Sequence, residues 1–250
     1  MKKIRQMKCE VQSKCQNDCV LCAHGEQRRL LPHYELSLAD LQKFLDVSRD
    51  SGYYIDDMRI HGPGEPLLWR HFNEGVGLMK DSGIIGSIFV ATNGQLLEKI
   101  TDDTWDCIDE MRVSLYSSFD RHEKLHEIID RFPDKVMVNK VDTFRTLPVA
   151  GEEASIPCRC VCDGPMLLGD RIFLYCGPPI FAAAHLFEEN ALGNSELSVS
   201  VGRNWLDSYD EQRMGNMKYC KRCWANSNYS SEKVPHEVKG GKWRFMDNYI

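Results

Sequence analysis

CQNDCVLC, residues 15–22, places three thiols within eight residues near the start of the chain. The spacing is C-x3-C-x2-C, and no fourth cysteine lies close by. A zinc site usually takes four ligands that arrive as two separated pairs. Three thiolates on one loop suit a cubane iron–sulfur cluster instead, because each sulfur binds one iron and the fourth iron stays open for an outside ligand. We therefore predict a 4Fe–4S cluster on Cys15, Cys19 and Cys22, with a zinc site or three buried core thiols as the alternatives.

The composition is that of an ordinary globular protein of 250 residues, 42% hydrophobic and 27% charged. The net charge of −6 gives no electrostatic reason to bind nucleic acid. Residues 1–11 lack the apolar run of an export signal, and the longest apolar stretch, Ile84–Ala91, is far too short to span a bilayer. Eleven cysteines in such a chain favour metal or redox chemistry in a reducing compartment. We expect a cytoplasmic protein with no nucleic-acid partner and no membrane contact.

Strand-like and helix-like segments alternate from the start of the chain to residue 141. The predicted strands are residues 4–11, 58–61, 84–91, 111–115 and 135–141, and the predicted helices are residues 38–50, 71–81, 95–100 and 121–131. Connections of this length favour parallel strands that are joined by helices. We therefore predict an α/β fold with a parallel sheet, in which ligands bind at the carboxyl ends of the strands.

Three polar motifs fall at those strand ends. GPGEP, residues 62–66, follows the second predicted strand, TNG, residues 92–94, follows the third, and Ser114 lies at the end of the fourth. Gly64 allows a ligand to approach the backbone closely, and either Glu65 or the carbonyls of the turn can accept hydrogen bonds from an ammonium group. Each motif also has an ordinary structural interpretation, as a Gly/Pro turn, an Asn-Gly turn or a core serine.

The three thiols and the strand-end motifs together resemble the signature of the radical S-adenosylmethionine (radical SAM) enzymes. The resemblance implies a partial (β/α)6 TIM-like barrel, in which the amino and carboxylate groups of SAM chelate the open iron. Pro63 stands where the family's GGEP turn has its second glycine, and Leu21 stands where the family has a large apolar residue near the adenine. The SAM contacts that the resemblance implies are Leu21, Gly62, Pro63, Gly64, Glu65, Asn93 and Ser114.

A second set of cysteines lies in the last third of the chain, around a hairpin predicted to turn at Gly169-Asp170. It resembles twitch, a shortened SPASM subdomain that holds an auxiliary 4Fe–4S cluster on four thiolates. The implied ligands are Cys158, Cys176, Cys220 and Cys223. Cys160 and Cys162 remain alternatives to Cys158, and zinc remains an alternative to the cluster.

The composition shifts near residue 146, which predicts two domains. Residues 1–146 form the barrel, and residues 147–250 form a small twitch-like subdomain of a β-hairpin and a helix. Cys9 and Cys107 match no motif and are interpreted as buried apolar residues.

The resemblance implies an oxidoreductase that cleaves SAM reductively to a 5′-deoxyadenosyl radical and takes hydrogen from a small molecule such as a sugar or aminocyclitol. The auxiliary cluster would assist the oxidation, and a flavodoxin or ferredoxin would supply electrons. Arg145 is a candidate catalytic residue at the end of the fifth strand region, against the simpler interpretation of a surface arginine. His24, His61 and His71 are candidate contacts, although a lone histidine in a barrel is more often structural. Two other functions stay open: a maturase that modifies a peptide or protein, and a non-enzymatic metal-binding module.

Overall fold

The computed structural model describes residues 1–17, 19, 22, 32–116, 123–141, 143–145, 164–174, 196–215 and 233–235. For residues 123–124, 143–145, 213–215 and 233–235 the description covers the backbone alone. No helix in these ranges is long and apolar enough to cross a membrane.

Strands and helices alternate through the first part of the chain, as predicted. The strands are β1 (Lys2–Ile4), β2 (Met7–Cys9), β3 (Tyr53–Ile60), β4 (Ile85–Thr92), β5 (Glu110–Tyr116), β6 (Val136–Val141), β7 (Thr143–Arg145), β8 (Met166–Leu168), β9 (Arg171–Phe173), β10 (Ser198–Ser200) and β11 (Lys233–Pro235). The α-helices are α1 (Leu38–Asp50), α2 (Phe72–Asp81), α3 (Asp102–Cys107), α4 (Glu123–Arg131) and α5 (Trp205–Gly215). Short 3₁₀ helices cover Pro66–Leu68 and Leu97–Lys99.

The strands β2 to β6 form a parallel sheet in chain order. Its register aligns Cys9 with Ile60, Ile60 with Val90, and Thr92 with Val113. β1 also pairs in parallel with β3, so that β1 and β2 act as one interrupted strand. This arrangement confirms the predicted α/β class with a partial TIM-like barrel. β7 lies in a separate two-stranded sheet with β11.

The predicted hairpin at Gly169-Asp170 is present as β8 and β9, and Gly169 adopts φ +61° as the turn requires. Its place in the fold is not evident from the sequence. β8 pairs in parallel with β2, and β10 continues the sheet on the far side of β9. The hairpin therefore extends the barrel sheet next to the strand that leads into the cysteine loop. The domain boundary near residue 146 stays a prediction.

The helix α1 has the bounds that the sequence predicts, because both of its ends carry strong local signals. The hydroxyl of Ser37 accepts a hydrogen bond of 3.0 Å from the amide of Asp40, which is an N-cap. Gly52 adopts φ +70° just beyond the last turn. Other bounds differ from the prediction: β3 begins at Tyr53 rather than at Met58, and α3 is absent from the predicted elements.

The two faces of the sheet differ in the residues that they carry. On the helix face, alternate strand residues such as Ile60, Val90 and Val113 are fully buried in the core beneath α1, α2 and α3. The other face, here called the cavity face, carries Arg59, Phe89, Arg112 and the residues that alternate with the core set. Phe89 is only 5% exposed, yet it lies outside the continuous apolar core.

Candidate cofactor site

A cavity of about 290 Å³ opens at the carboxyl ends of β3, β4 and β5. This is the edge at which the sequence predicts ligand binding, and the volume is at the lower end of small-molecule pockets. Every predicted cluster or SAM residue whose side chain is described lines this cavity: Cys15, Cys19, Cys22, the turn from Gly62 to Glu65, Asn93 and Ser114. Four separate segments of the chain therefore meet at one point.

The cysteine loop presents all three thiols to the cavity. Cys19 is buried, whereas Cys15 and Cys22 are half-buried. The amide of Cys22 donates a hydrogen bond of 3.2 Å to the carbonyl of Cys19, and the amide of Asn17 donates to the sulfur of Cys15 at 3.4 Å. An amide that donates to sulfur stabilises negative charge there, which suits a thiolate that binds a metal.

The GPGEP turn packs against residues 12–14, the segment that leads into the cysteine loop. A Cβ added to Gly64 would lie 2.4 Å from the carbonyl oxygen of Gln12 and 2.5 Å from that of Lys14, closer than any real Cβ contact. The amide of Glu65 donates a hydrogen bond of 2.7 Å to the same Lys14 carbonyl. The sequence predicts that this glycine lets a ligand approach the backbone closely. In the structure, the segment that approaches closely is the chain itself, at residues 12–14.

The Glu65 side chain is 3% exposed and holds the ends of two strands together. Its carboxylate accepts from the hydroxyl of Thr92 at 2.6 Å and from the amides of Asn93 at 2.8 Å and Leu67 at 3.1 Å. Burial raises the pKa of this carboxyl, while these hydrogen bonds act in the opposite direction. With its oxygens engaged inside the protein, Glu65 fixes the geometry of the site, and the turn carbonyls are the better acceptors for a bound ammonium group.

Asn93 makes the turn that the Asn-Gly interpretation predicts, and its contact with SAM stays a prediction. Its side-chain oxygen accepts from the amide of Gln95 at 3.1 Å, which makes an Asx turn, and Gly94 follows at φ +76°. The same oxygen accepts from the side chain of Gln16 at 3.3 Å, and Gln95 donates to Asn17 at 2.8 Å. The turn after β4 is thus tied to the cysteine loop by these two hydrogen bonds, and the side-chain amide nitrogen of Asn93 also donates to the sulfur of Cys15 at 4.0 Å.

Tyr116 belongs to the site and is one of the lining residues that the sequence did not single out. Tyr116 lines the cavity, and burial, followed by the charges of Cys19 and Cys22, raises the pKa of its hydroxyl. It lies two residues after Ser114 on β5, so strand alternation from Ser114 would have found it. His61 also lines the cavity, whereas His71 lies at the start of α2 and does not.

Glu10 lies next to the site without lining the cavity. A Cβ on Gly62 would come within 3.2 Å of its side-chain carbons. Its carboxylate is 1% exposed and accepts a hydrogen bond of 2.9 Å from the Tyr34 hydroxyl. Burial raises the pKa of Glu10 to about 7, although the hydrogen bond from Tyr34 and the charge of Lys8 lower it. Nothing in the sequence pattern marks this glutamate, because it follows a short strand in an otherwise mixed segment.

Several predicted residues lie outside the described part of the chain. They are Leu21, His24, Cys158, Cys160, Cys162, Cys176, Cys220 and Cys223. Arg145 ends β7, and only its backbone is described. The auxiliary cluster and the catalytic role of Arg145 therefore stay predictions.

The donor set fits an iron–sulfur cluster with three protein ligands. Within the described ranges, no three His, Cys, Asp or Glu side chains are arranged as the ligands of one metal ion would be. A cubane does not need such convergence, because each thiolate binds a different iron. The three thiols instead line one cavity. The backbone just before them, at residues 12–14, packs against Gly64.

No protein-family model and no curated protein matches the chain. Among solved structures it is similar to BtrN in complex with AdoMet and 2-DOIA, with a TM-score of 0.63 and 16% identity over 92% of this chain and 95% of BtrN. BtrN in an open conformation gives a TM-score of 0.55 at 14% identity over 92% and 94% of the two chains. SuiB from Streptococcus suis, bound to S-adenosylmethionine, matches over 57% of this chain and 33% of its own, at 19% identity, and its TM-score of 0.40 carries no argument. The likeness to BtrN shows a shared fold, which confirms the predicted resemblance at that level.

Proposed function

We propose that this protein is a radical SAM enzyme that binds a 4Fe–4S cluster on Cys15, Cys19 and Cys22 and S-adenosylmethionine in the adjoining cavity. The observation that carries the proposal is the meeting of the three thiols with the GPGE turn, Asn93 and Ser114 around one cavity. The motifs are separated by tens of residues in sequence, and the parallel sheet brings them together at the edge where ligands bind in folds of this kind. The fold shared with BtrN, which was solved with AdoMet, supports the same assignment.

The residues around the cavity have distinct tasks in this proposal. The three thiolates hold the cluster, and the carbonyls of Gly62 and Pro63 accept from the ammonium group of the methionine moiety. Asn93 and Ser114 offer polar side chains to the ribose and carboxylate. When bound, the reduced cluster and SAM supply a 5′-deoxyadenosyl radical that takes hydrogen from an unactivated carbon. The protein contributes placement, exclusion of water and an ordered loop.

For the reaction we propose oxidation of a small molecule. The order of motifs along the chain resembles that of 2-deoxy-scyllo-inosamine dehydrogenase, and BtrN was solved with 2-DOIA. An auxiliary 4Fe–4S cluster on Cys158, Cys176, Cys220 and Cys223 would accept the second electron, with a flavodoxin or ferredoxin as donor for the first cluster. Arg145 would assist removal of the proton. A maturase that acts on a peptide would use the same site, and a Cys-rich binding module would not need the strand-end motifs.

The experiment is anaerobic reconstitution followed by iron and sulfide analysis. The native chain should hold about eight irons, and the Cys220→Ala/Cys223→Ala variant about four, because each cubane contains four metals. The Cys15→Ala/Cys19→Ala variant should also hold about four and should form no 5′-deoxyadenosine from SAM and dithionite. Cys107→Ala, which removes a thiol outside the cavity, is the matched control and should match the native chain.

Three results would contradict parts of the proposal. Zinc in place of iron at Cys15, Cys19 and Cys22 would remove the enzyme assignment. About four irons in both the native chain and the Cys220→Ala/Cys223→Ala variant would remove the auxiliary cluster alone. Deuterium that moves into 5′-deoxyadenosine from a labelled peptide, and from no labelled sugar or aminocyclitol, would favour the maturase.

A further inference from the structure

The side-chain amide of Asn93 has a fixed orientation. Its oxygen accepts from the backbone amide of Gln95 at 3.1 Å and from the side chain of Gln16 at 3.3 Å. A backbone amide can only donate, so the atom of Asn93 that faces Gln95 is the oxygen and not the nitrogen. The main chain is held as well, because the backbone amide of Asn93 donates to Glu65 at 2.8 Å. These contacts leave the side-chain nitrogen one direction in which to point.

That nitrogen points at the sulfur of Cys15. The distance between the two atoms is 4.0 Å, and Asn93 is only 9% exposed. The contact is long for a neutral thiol, but a metal-bound thiolate carries negative charge and attracts an N–H donor more strongly. The backbone amide of Asn17 donates to the same sulfur at 3.4 Å. Two N–H groups from different segments of the chain therefore meet at one ligand of the proposed cluster.

The segments that carry these two donors are also tied to each other. The side chain of Gln95 donates to the side-chain oxygen of Asn17 at 2.8 Å, next to the hydrogen bond between Gln16 and Asn93. The turn after β4 is thus fastened to residues 15–17 at three points, and the contact with sulfur is the one that reaches a cluster ligand.

Hydrogen bonds to the sulfurs are among the features that set the reduction potential of an iron–sulfur cluster. Reduction adds one negative charge, which the thiolate ligands share. A donor close to one of these sulfurs interacts more strongly with the reduced state than with the oxidised state, and therefore raises the potential. The low dielectric constant of a buried site strengthens this effect.

We infer that the side-chain amide of Asn93 donates a hydrogen bond to the Cys15 thiolate and raises the reduction potential of the SAM-binding cluster. The inference rests on the proposed function for the identity of the metal group. It also refines the SAM contact that the TNG motif predicts. The oxygen of Asn93 is engaged by Gln95 and Gln16, so a contact with SAM would use the second N–H of the amide.

The test is a potentiometric titration of the anaerobically reconstituted full chain without SAM, followed by the EPR signal of the reduced cluster. The Cys220→Ala/Cys223→Ala variant serves as the background, so that the proposed auxiliary cluster does not contribute. Asn93→Leu replaces the amide with an apolar side chain of similar size. The equilibrium constant for reduction should fall by about threefold to tenfold, and tenfold corresponds to about 59 mV for a one-electron couple.

A second variant and a matched control separate this effect from damage to the turn. Asn93→Ser keeps an oxygen that can accept from the amide of Gln95 but has no N–H, and its potential should shift in the same direction. In the control, Asn73→Leu, the lost amide donates to the carbonyl of Lys99 at 2.9 Å and accepts from the amide of Thr101 at 3.2 Å, outside the cavity. Its equilibrium constant for reduction should change by less than about twofold, as expected for a distant site.

An isotope label tests the hydrogen bond itself. Asparagine that carries the heavy nitrogen isotope in its side chain alone is incorporated into the native chain and into Asn93→Ser. Pulsed EPR of the reduced cluster should detect a coupling to the labelled nitrogen in the native chain and none in the variant. The backbone amide of Asn17 stays unlabelled and does not contribute to the signal.

The inference is overturned if Asn93→Leu and Asn93→Ser keep the native potential, or if Asn73→Leu lowers it as much as they do. It is equally overturned if the labelled native chain shows no coupling that Asn93→Ser removes. A failure of the proposed function looks different: the shift and the coupling are both seen, while SAM and dithionite yield no 5′-deoxyadenosine. Zinc in place of iron would contradict the function and the inference together.

Discussion

The two faces of the central strands show how one stretch of β-structure meets two demands. On the helix face, Ile60, Val90 and Val113 are fully buried and uncharged. On the cavity face, one residue away along the same strands, Arg59 and Arg112 keep charged groups partly exposed. The first face provides stability through the hydrophobic effect, and the second keeps charged groups in partial contact with solvent. A substitution on one face should therefore change a different measured quantity from a substitution on the other.

The largest stability effect is expected on the helix face. Ile60→Ala removes a fully buried side chain and should lower the free energy of unfolding by about 3 kcal/mol. Ser114→Ala is the matched change on the cavity face and should cost less than about 1 kcal/mol, because this serine is only half-buried. Urea denaturation measures both. Equal losses for the two variants would contradict the division between the faces.

Next in size is a pH effect from Glu10. Burial raises its pKa from 4.5 to about 7, so the folded state binds the proton more tightly than the unfolded state does. The stability that it contributes is therefore present at low pH and is lost as the pH rises through about 7. Glu10→Gln cannot ionise, and between pH 5 and pH 8 its free energy of unfolding should gain about 2 kcal/mol relative to the native chain.

Urea denaturation at several pH values tests this effect, with the exposed Glu98→Gln as the control. Native and Glu10→Gln curves that stay parallel over this pH range would show that the carboxyl is already ionised in the folded protein.

The smallest effect concerns Phe89. Phe89→Leu removes the cation–π contacts that Arg59 and Arg112 make with the ring. In the native background it should lower the free energy of unfolding by about 1 kcal/mol. In the Arg59→Gln/Arg112→Gln background the same substitution should cost less, because the contacts are already absent. The difference between these two losses of unfolding free energy is the coupling energy between the Phe89 ring and the two arginines. A coupling of zero would mean that the ring and the guanidiniums are neighbours without attraction.

Local signals in the sequence predicted the bounds of one helix, the turn of one hairpin and the grouping of the site residues. The bounds of α1 follow from the Ser37 cap and from Gly52, and the turn of the hairpin follows from Gly169-Asp170. The site residues could be grouped because ligands collect at the carboxyl ends of parallel strands. Each of these predictions depends on a residue and its immediate neighbours.

Some elements and contacts were not predicted from the sequence. They depend on residues that are distant along the chain, or they lie in segments whose local signals conflict or are too short. The part of β3 before Met58 contains two consecutive acids, Asp56 and Asp57, which favour a loop in the sequence. In the structure Lys3 and Arg59 pair with them. α3 has six residues, too few for a periodic pattern, although the cap at Thr101 marks its start. Phe89 lies in the predicted strand at residues 84–91, and no local signal predicts its contacts with Arg59 and Arg112 on the neighbouring strands.

The pairing of β2 with β8 has a consequence for how the protein is made. β2 lies between β3 and β8, so one edge of this early strand stays unpaired until Met166–Leu168 has been synthesised. Such long-range pairing raises the contact order and slows folding. Because the cysteine loop follows β2, its thiols are synthesised well before the hairpin that pairs with this strand. The nascent chain should therefore be most vulnerable to oxidation of these thiols before the hairpin docks, and metal insertion is best timed to follow that step.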